Sequence, residues 1–183
     1  ASQKTGVRPA FLLAILTQES NLGKNVGSCY LTNQQTGEGV NTKTGKVLPN
    51  VMKPTRDVGP FIEITKALGL DPFKATVSCP IVSTTYWNSG SMGPAQFLPS
   101  TWKLFINRLK NILGYVANPW EPKDAFLASA MYLSDLGGIG ESTSAQSKAA
   151  CRYNTGSQIS TCSYSRSVMK LAIKIQGTID ELD

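Results

Sequence analysis

The chain reads as a mainly α-helical domain carrying one non-helical insertion, and three observations predict this. Apolar residues recur at helical spacing in separate stretches, each bounded by Gly, Pro or Asn. Between residues 27 and 55 the composition shifts to Gly, Asn, Thr and Lys with few apolar positions, the mark of loop or short hairpin rather than core. At 183 residues and 41% hydrophobic content, the chain is long enough for one substantial core.

Residues 8 to 22 predict a first helix, with Pro9 suited to its opening turn, Leu12, Ile15 and Leu16 on one face, and Gly23 as the stop. A second pattern runs from Val58 to Leu70, ending at Gly69 and Asp71-Pro72, and irregular chain then leads to Trp87 and Gly90. Residues 99 to 113 predict one continuous helix burying Trp102, Phe105, Ile106, Leu109, Ile112 and Leu113. Another helix follows from Pro122 through Ala125, Ser129, Tyr132 and Leu136 to Gly137-Gly138, its small residues permitting close packing. Residues 144 to 153 and 163 to 176 complete the set, the last with Tyr164, Val168, Leu171, Ala172 and Ile175 inward. No repeat interrupts this order, so the expectation is a single domain over 1–183 with an insertion at about 27–88.

Composition excludes more than it selects. With no histidine, Ser-His-Asp and Cys-His catalysis and histidine-based zinc sites are ruled out, and neither a metal nor a cofactor is expected. A net charge of +6 suits an anionic partner, but the basic residues are scattered without interleaved aromatics, so nucleic acid is not the expected one. The clearest stripe, Arg166, Lys170 and Lys174, reads as a solvated helix face. No apolar run approaches the roughly eighteen residues of a membrane span, and no charged segment followed by an apolar one marks an export signal. Cys29, Cys79, Cys151 and Cys162 lack metal spacing and read as two disulfides, hence an extracytoplasmic location. Pairing Cys29 with Cys79 and Cys151 with Cys162 closes loops between helical segments, with the two other connectivities open.

Glu19 lies seven residues after Leu12 and four after Ile15, on the apolar side of its helix near the C-terminal end. Burial and the negative end of the helix dipole would both hold such a carboxyl protonated, as a general acid requires; periodicity leaves a solvated last turn equally open. In Gly90-Ser91-Met92-Gly93-Pro94-Ala95-Gln96-Phe97, glycines permit close backbone approach to a ligand and Gln96 can both donate and accept, although a Gly-Pro turn is more often only a turn. Tyr153-Asn154 closes a helix before Gly156, and a buried tyrosine there could hydrogen-bond a carboxylate. Tyr132 and Tyr164 are core by spacing, with hydroxyls able to face a cleft.

Taken in order, Glu19-Ser20, the run Gly90 to Trp102 continuing through Leu98-Pro99-Ser100-Thr101, and Tyr153-Asn154-Thr155-Gly156 resemble the motif set of bacterial lytic transglycosylases of the lysozyme superfamily. The middle motif looks most like the membrane-bound B-type branch, and goose-type lysozymes are relatives. The resemblance covers residues 8 to 23 and 90 to 176 and implies a lysozyme-like α-helical domain, with the insertion between the catalytic helix and the groove loop. It further implies that Glu19 is the sole catalytic acid/base, that Ser20 and Gln96 support or bind near it, and that the Ser91, Met92 and Gly93 backbone lines a saccharide groove. Tyr153 would orient the Glu19 carboxyl, Asn154 would hold the local backbone, and Tyr164 would be a further family tyrosine preceding a hydrophobic helix; Ser160 replaces the acidic residue usual four positions before Tyr164. The implied substrate is peptidoglycan, cleaved between N-acetylmuramic acid and N-acetylglucosamine with 1,6-anhydromuramoyl ends.

Two other readings compete. A hydrolytic goose-type lysozyme needs a second carboxylate, about 6.5–9.5 Å from the acid in inverting enzymes, for which Glu38, Asp57 and Glu63 are the candidates. A non-catalytic glycan-binding module would keep the groove without turnover. The insertion, tied off by Cys29 and Cys79, is expected to wall the cleft or to dock an envelope protein.

Overall fold

Phe11, Leu12, Ala14, Ile15 and Leu16 are all buried, so the helix they form is apolar on nearly every side and must lie inside its own unit rather than upon it. The computed structural model describes residues 1–81, 89–156 and 162–182, and the expectations for Trp87 and Ser160 fall outside these. Two compact units emerge, one from Ala1–Gly23 with Phe126–Asp183 and the other from Lys24–Ala125.

The first unit contains α1 (Ser2–Thr5), α2 (Pro9–Ser20), most of α6 (Pro122–Asp135), α7 (Thr143–Thr155) and α8 (Ser163–Asp180). Pro9 opens α2, which ends at Ser20, three residues before the expected glycine stop; Asn21 closes it in the left-handed conformation (φ 51°). α8 packs along α2 and α7, presenting Val168 and Ala172 inward, while Arg166, Lys170 and Lys174 stay exposed. Gly138, after α6, sits where an added Cβ would come within 2.8 Å of the Ala149 Cβ and 3.0 Å of Phe11, so only glycine lets this turn pass against α2 and α7.

The second unit holds β1 (Cys29–Leu31), β2 (Gly39–Asn41), β3 (Val47–Leu48), a π-helical turn (Pro54–Val58), α3 (Gly59–Ala67), α4 (Pro99–Lys103) and α5 (Ile106–Leu113). The strands form an antiparallel meander, Cys29 opposite Asn41 and Val40 opposite Val47. Asparagine side chains build its turns: Asn33 Oδ1 accepts from the Gln35 and Thr36 amides, and Asn41 Oδ1 from those of Lys43 and Thr44. Here the expectation that residues 27–55 stand outside the core is corrected. Cys29, Leu31, Val51 and Met52 are fully buried, joining Phe61, Ile64, Val77 and Trp102 in the interior of the unit. The segment lacks periodicity because its buried residues come singly from short strands and turns.

The continuous helix expected over 99–113 is likewise corrected. Leu104 and Phe105 donate to carbonyls three residues back, those of Thr101 and Trp102, and this tighter winding divides α4 from α5. The extra twist turns Trp102, Phe105 and Leu109 inward together, Phe97 meeting the Trp102 and Phe105 rings edge-on at 5.4 and 5.8 Å, and leaves Ile112 43% exposed. Both disulfides form as Cys29–Cys79 and Cys151–Cys162.

Candidate active site

Glu19 stands in the last turn of α2, half-buried as a residue but with its carboxyl group surrounded by protein. Burial raises its pKa from 4.5 to about 7, and the Tyr164 hydroxyl, which donates to Oε1, pulls the other way. No second carboxylate adds to the shift among the described residues, and no cation relieves it. Tyr164 comes from the first turn of α8, and burial, then the Glu19 charge, push its own pKa well above 10, so it stays a donor throughout the ordinary pH range. Tyr153, from the last turn of α7, is held high by burial and then by Glu19, and its ring lies 5.2 Å from that of Tyr132 on α6. Glu19 and three tyrosines from three different helices therefore share one enclosed polar cluster. The hydrogen bond described to the carboxyl comes from Tyr164, and Tyr153, the tyrosine to which the sequence pointed, lies close enough for the Glu19 charge to act on it.

Ser20 follows Glu19 at the end of α2. Its buried hydroxyl accepts the Gly23 amide at 2.8 Å and so helps terminate α2. Asn154 is half-buried, and no side-chain hydrogen bond from it is found among the described residues; Gly156 (φ 65°) supplies the left-handed end of α7.

Ser91, Met92, Gly93 and Gln96 belong to the second unit, where they form a tight, self-satisfied loop. Met92 and Phe97 exchange backbone hydrogen bonds at 2.8 and 3.2 Å, and Ser91 donates its amide to the Ser78 hydroxyl while its carbonyl accepts from Ser78. The Ser91 and Met92 side chains are buried. Gly93 (φ +60°) is required not by an open groove but by the chain beside it, since a Cβ there would lie 1.8 Å from the Pro119 carbonyl oxygen. Gln96 also adopts positive φ (52°) and donates Nε2 to the Gly93 carbonyl at 2.8 Å, which leaves its amide oxygen as an acceptor.

No protein-family model matches the chain, and no curated protein matches it in sequence. Among solved structures, the lytic transglycosylase Slt35 of Escherichia coli in complex with calcium aligns over 97% of this chain and 69% of its own, with a TM-score of 0.65 and 16% identity. Slt35 in complex with bulgecin A aligns over 97% and 68%, and the soluble lytic transglycosylase SltB1 of Pseudomonas aeruginosa over 98% and 73%, with a TM-score of 0.65 and 19% identity. The chain has the lysozyme-like fold of these lytic transglycosylases. Within this fold, Ser129 is a site neighbour that sequence reasoning placed only in helix packing. Its hydroxyl is fully buried on α6 and lies close enough to hydrogen-bond Tyr153, an interaction that lowers the Tyr153 pKa against the larger effect of burial. The signal was its place three residues before Tyr132, on the same helical face.

Proposed function

We propose that this chain is a peptidoglycan lytic transglycosylase working outside the cytoplasm, with Glu19 as its single acid and base and residues 1–183 acting as one catalytic domain. The observation that carries the reading is the enclosed Glu19 carboxyl, with a pKa of about 7 and held by a tyrosine hydroxyl. Near neutral pH such a group is populated in both protonation states, so one residue can give a proton and later take one. The fold shared with Slt35 and SltB1 supports the substrate class. Two disulfides support an oxidising location, and no helix among the described residues is long and apolar enough to cross a membrane.

In this reading Glu19 protonates the oxygen bridging N-acetylmuramic acid and N-acetylglucosamine as an oxocarbenium-like centre develops. The substrate's acetamido carbonyl stabilises that centre, so no carboxylate nucleophile is required. Ionised Glu19 then takes the proton of the muramoyl C6 hydroxyl, whose oxygen closes the 1,6-anhydro ring, and no water is consumed. Tyr164 steers the carboxyl, and Tyr153 and Tyr132 complete the enclosure.

Two of the three candidates for a water-activating base, Asp57 and Glu63, are poorly suited. Asp57 is fully buried with both oxygens engaged, by Arg56 and by Ser100, and Glu63 is paired with Lys103 at 2.6 Å. Mass spectrometry of products from purified peptidoglycan, with Glu19→Gln as control, tests the proposal. Anhydromuramoyl ends, lost in the variant with a rate drop of roughly a thousandfold or more, are expected. Reducing ends would mean hydrolysis, and binding without product would mean a glycan-binding module.

A further inference from the structure

The Cys151–Cys162 disulfide stands in a particular relation to the acid. Each cysteine precedes a site tyrosine by two residues: Cys151 comes before Tyr153 in α7, and Cys162 before Tyr164 in α8. Cys162 is also the residue that starts α8. Its sulfur accepts the Ser165 amide at 3.4 Å, and the Ser165 hydroxyl accepts the Cys162 amide at 3.4 Å, a reciprocal cap around the turn that carries Tyr164. Cys151 is fully buried, so the far end of the bond is anchored in the interior of the unit. One residue further along α8, the buried Ser165 receives the Ser147 hydroxyl at 3.1 Å, a second tie between α7 and the same turn.

The direction of a side chain in the first turn follows the backbone of that turn, and helix ends fray unless held. Tyr164 therefore points at Glu19 only while the start of α8 keeps its place against α7. We infer that the Cys151–Cys162 crosslink is a positioning device for the catalytic acid: by joining the end of α7 to the start of α8 it holds Tyr164, and through it the Glu19 carboxyl, in the geometry for proton transfer. The inference rests on the acid role proposed above for Glu19. Around that carboxyl the titratable neighbours among the described residues are Tyr164 from α8 and Tyr153 from α7, with Tyr132 from α6 beside Tyr153. A bond that served stability alone would constrain the unfolded chain and leave the interaction of Tyr164 with Glu19 untouched.

The test is a double-mutant cycle read by carbon NMR titration of the labelled Glu19 carboxyl. In the native crosslinked protein, Tyr164→Phe removes a donor that favours the carboxylate, so the midpoint should rise by about 0.5 to 1 on the pH scale. In C151A/C162S, where serine keeps an acceptor at the start of α8, the same substitution should move it by less than half as much. Equal movement in both backgrounds, or none in the crosslinked one, overturns the inference. C151V/C162S, which restores buried volume at residue 151, replaces the first variant if that one does not fold; failure of both to fold assigns the bond to stability and likewise overturns it. The titration needs no turnover. Missing anhydromuramoyl products alongside intact coupling would thus defeat the proposed reaction and leave the role of the crosslink standing.

Discussion

At the scale of one residue, Glu19 carries a stability cost for its proposed use. Its carboxyl titrates near 7 in the folded protein and at an ordinary 4.5 when unfolded, because burial disfavours the charged form. Between those values the unfolded chain releases a proton that the folded chain retains, so stability falls as pH rises through the window and the full cost is present above it. Glu19→Gln removes the charge and keeps an acceptor for Tyr164. We expect it to unfold at higher urea concentration than the native protein at pH 8, by on the order of 3 kcal/mol, and to show little advantage at pH 4. An equal difference at both pH values would contradict the burial of the carboxyl. The polar cluster is thus built for a proton and tolerated by the fold, not selected by it.

At the scale of elements, the second unit depends on another carboxylate with a different task. Asp57 leaves the π-helical turn fully buried, takes both Nε and Nη2 of Arg56 at 2.7 and 2.6 Å, and gives its other oxygen to Ser100. The Ser100 amide, 3.3 Å from the same oxygen, is one of the donors left without an intrahelical partner at the start of α4. Asp57 therefore caps a helix distant in sequence and ties the π-helical turn to the start of α4. Asp57→Ala should lower stability by about 2–4 kcal/mol in denaturant titrations, since it strands the partly buried Ser100 donors and a partly covered guanidinium. The glycan products of whatever protein remains folded should keep the same chemical ends; a switch in product type would mark Asp57 as part of the reaction.

At the scale of the whole molecule, the excess of six positive charges concerns encounter rather than fold. Arg166, Lys170 and Lys174 are exposed along α8 and have no ion-pair partner among the described residues. Screening grows as the Debye length shortens, so co-sedimentation with insoluble peptidoglycan should weaken several-fold between roughly 50 and 500 mM salt. Cleavage of a short uncharged glycan should change little over the same range. Salt-independent sedimentation would assign wall attachment to the saccharide contacts alone.

Local signals made much of this protein legible in its sequence. Recurring apolar residues between Gly, Pro and Asn boundaries marked the helices around Glu19, and the absence of histidine narrowed the chemistry to carboxylates. Order and motif pointed to Glu19 and the tyrosines before any contact was visible. What needed the tertiary structure depends on partners far apart in the chain. Whether Glu19 is solvated or enclosed, and that Tyr164 reaches it across 145 positions, follows from how α8 packs on α2. The requirement for glycine at residue 93 is set by the backbone of Pro119, and the break between α4 and α5 by the space that Trp102, Phe105 and Leu109 must share. Burial of Cys29, Leu31, Val51 and Met52 within residues 27–55 escaped detection for the same reason, since single apolar side chains from short strands and turns have no period, and only the assembled unit gives them an interior.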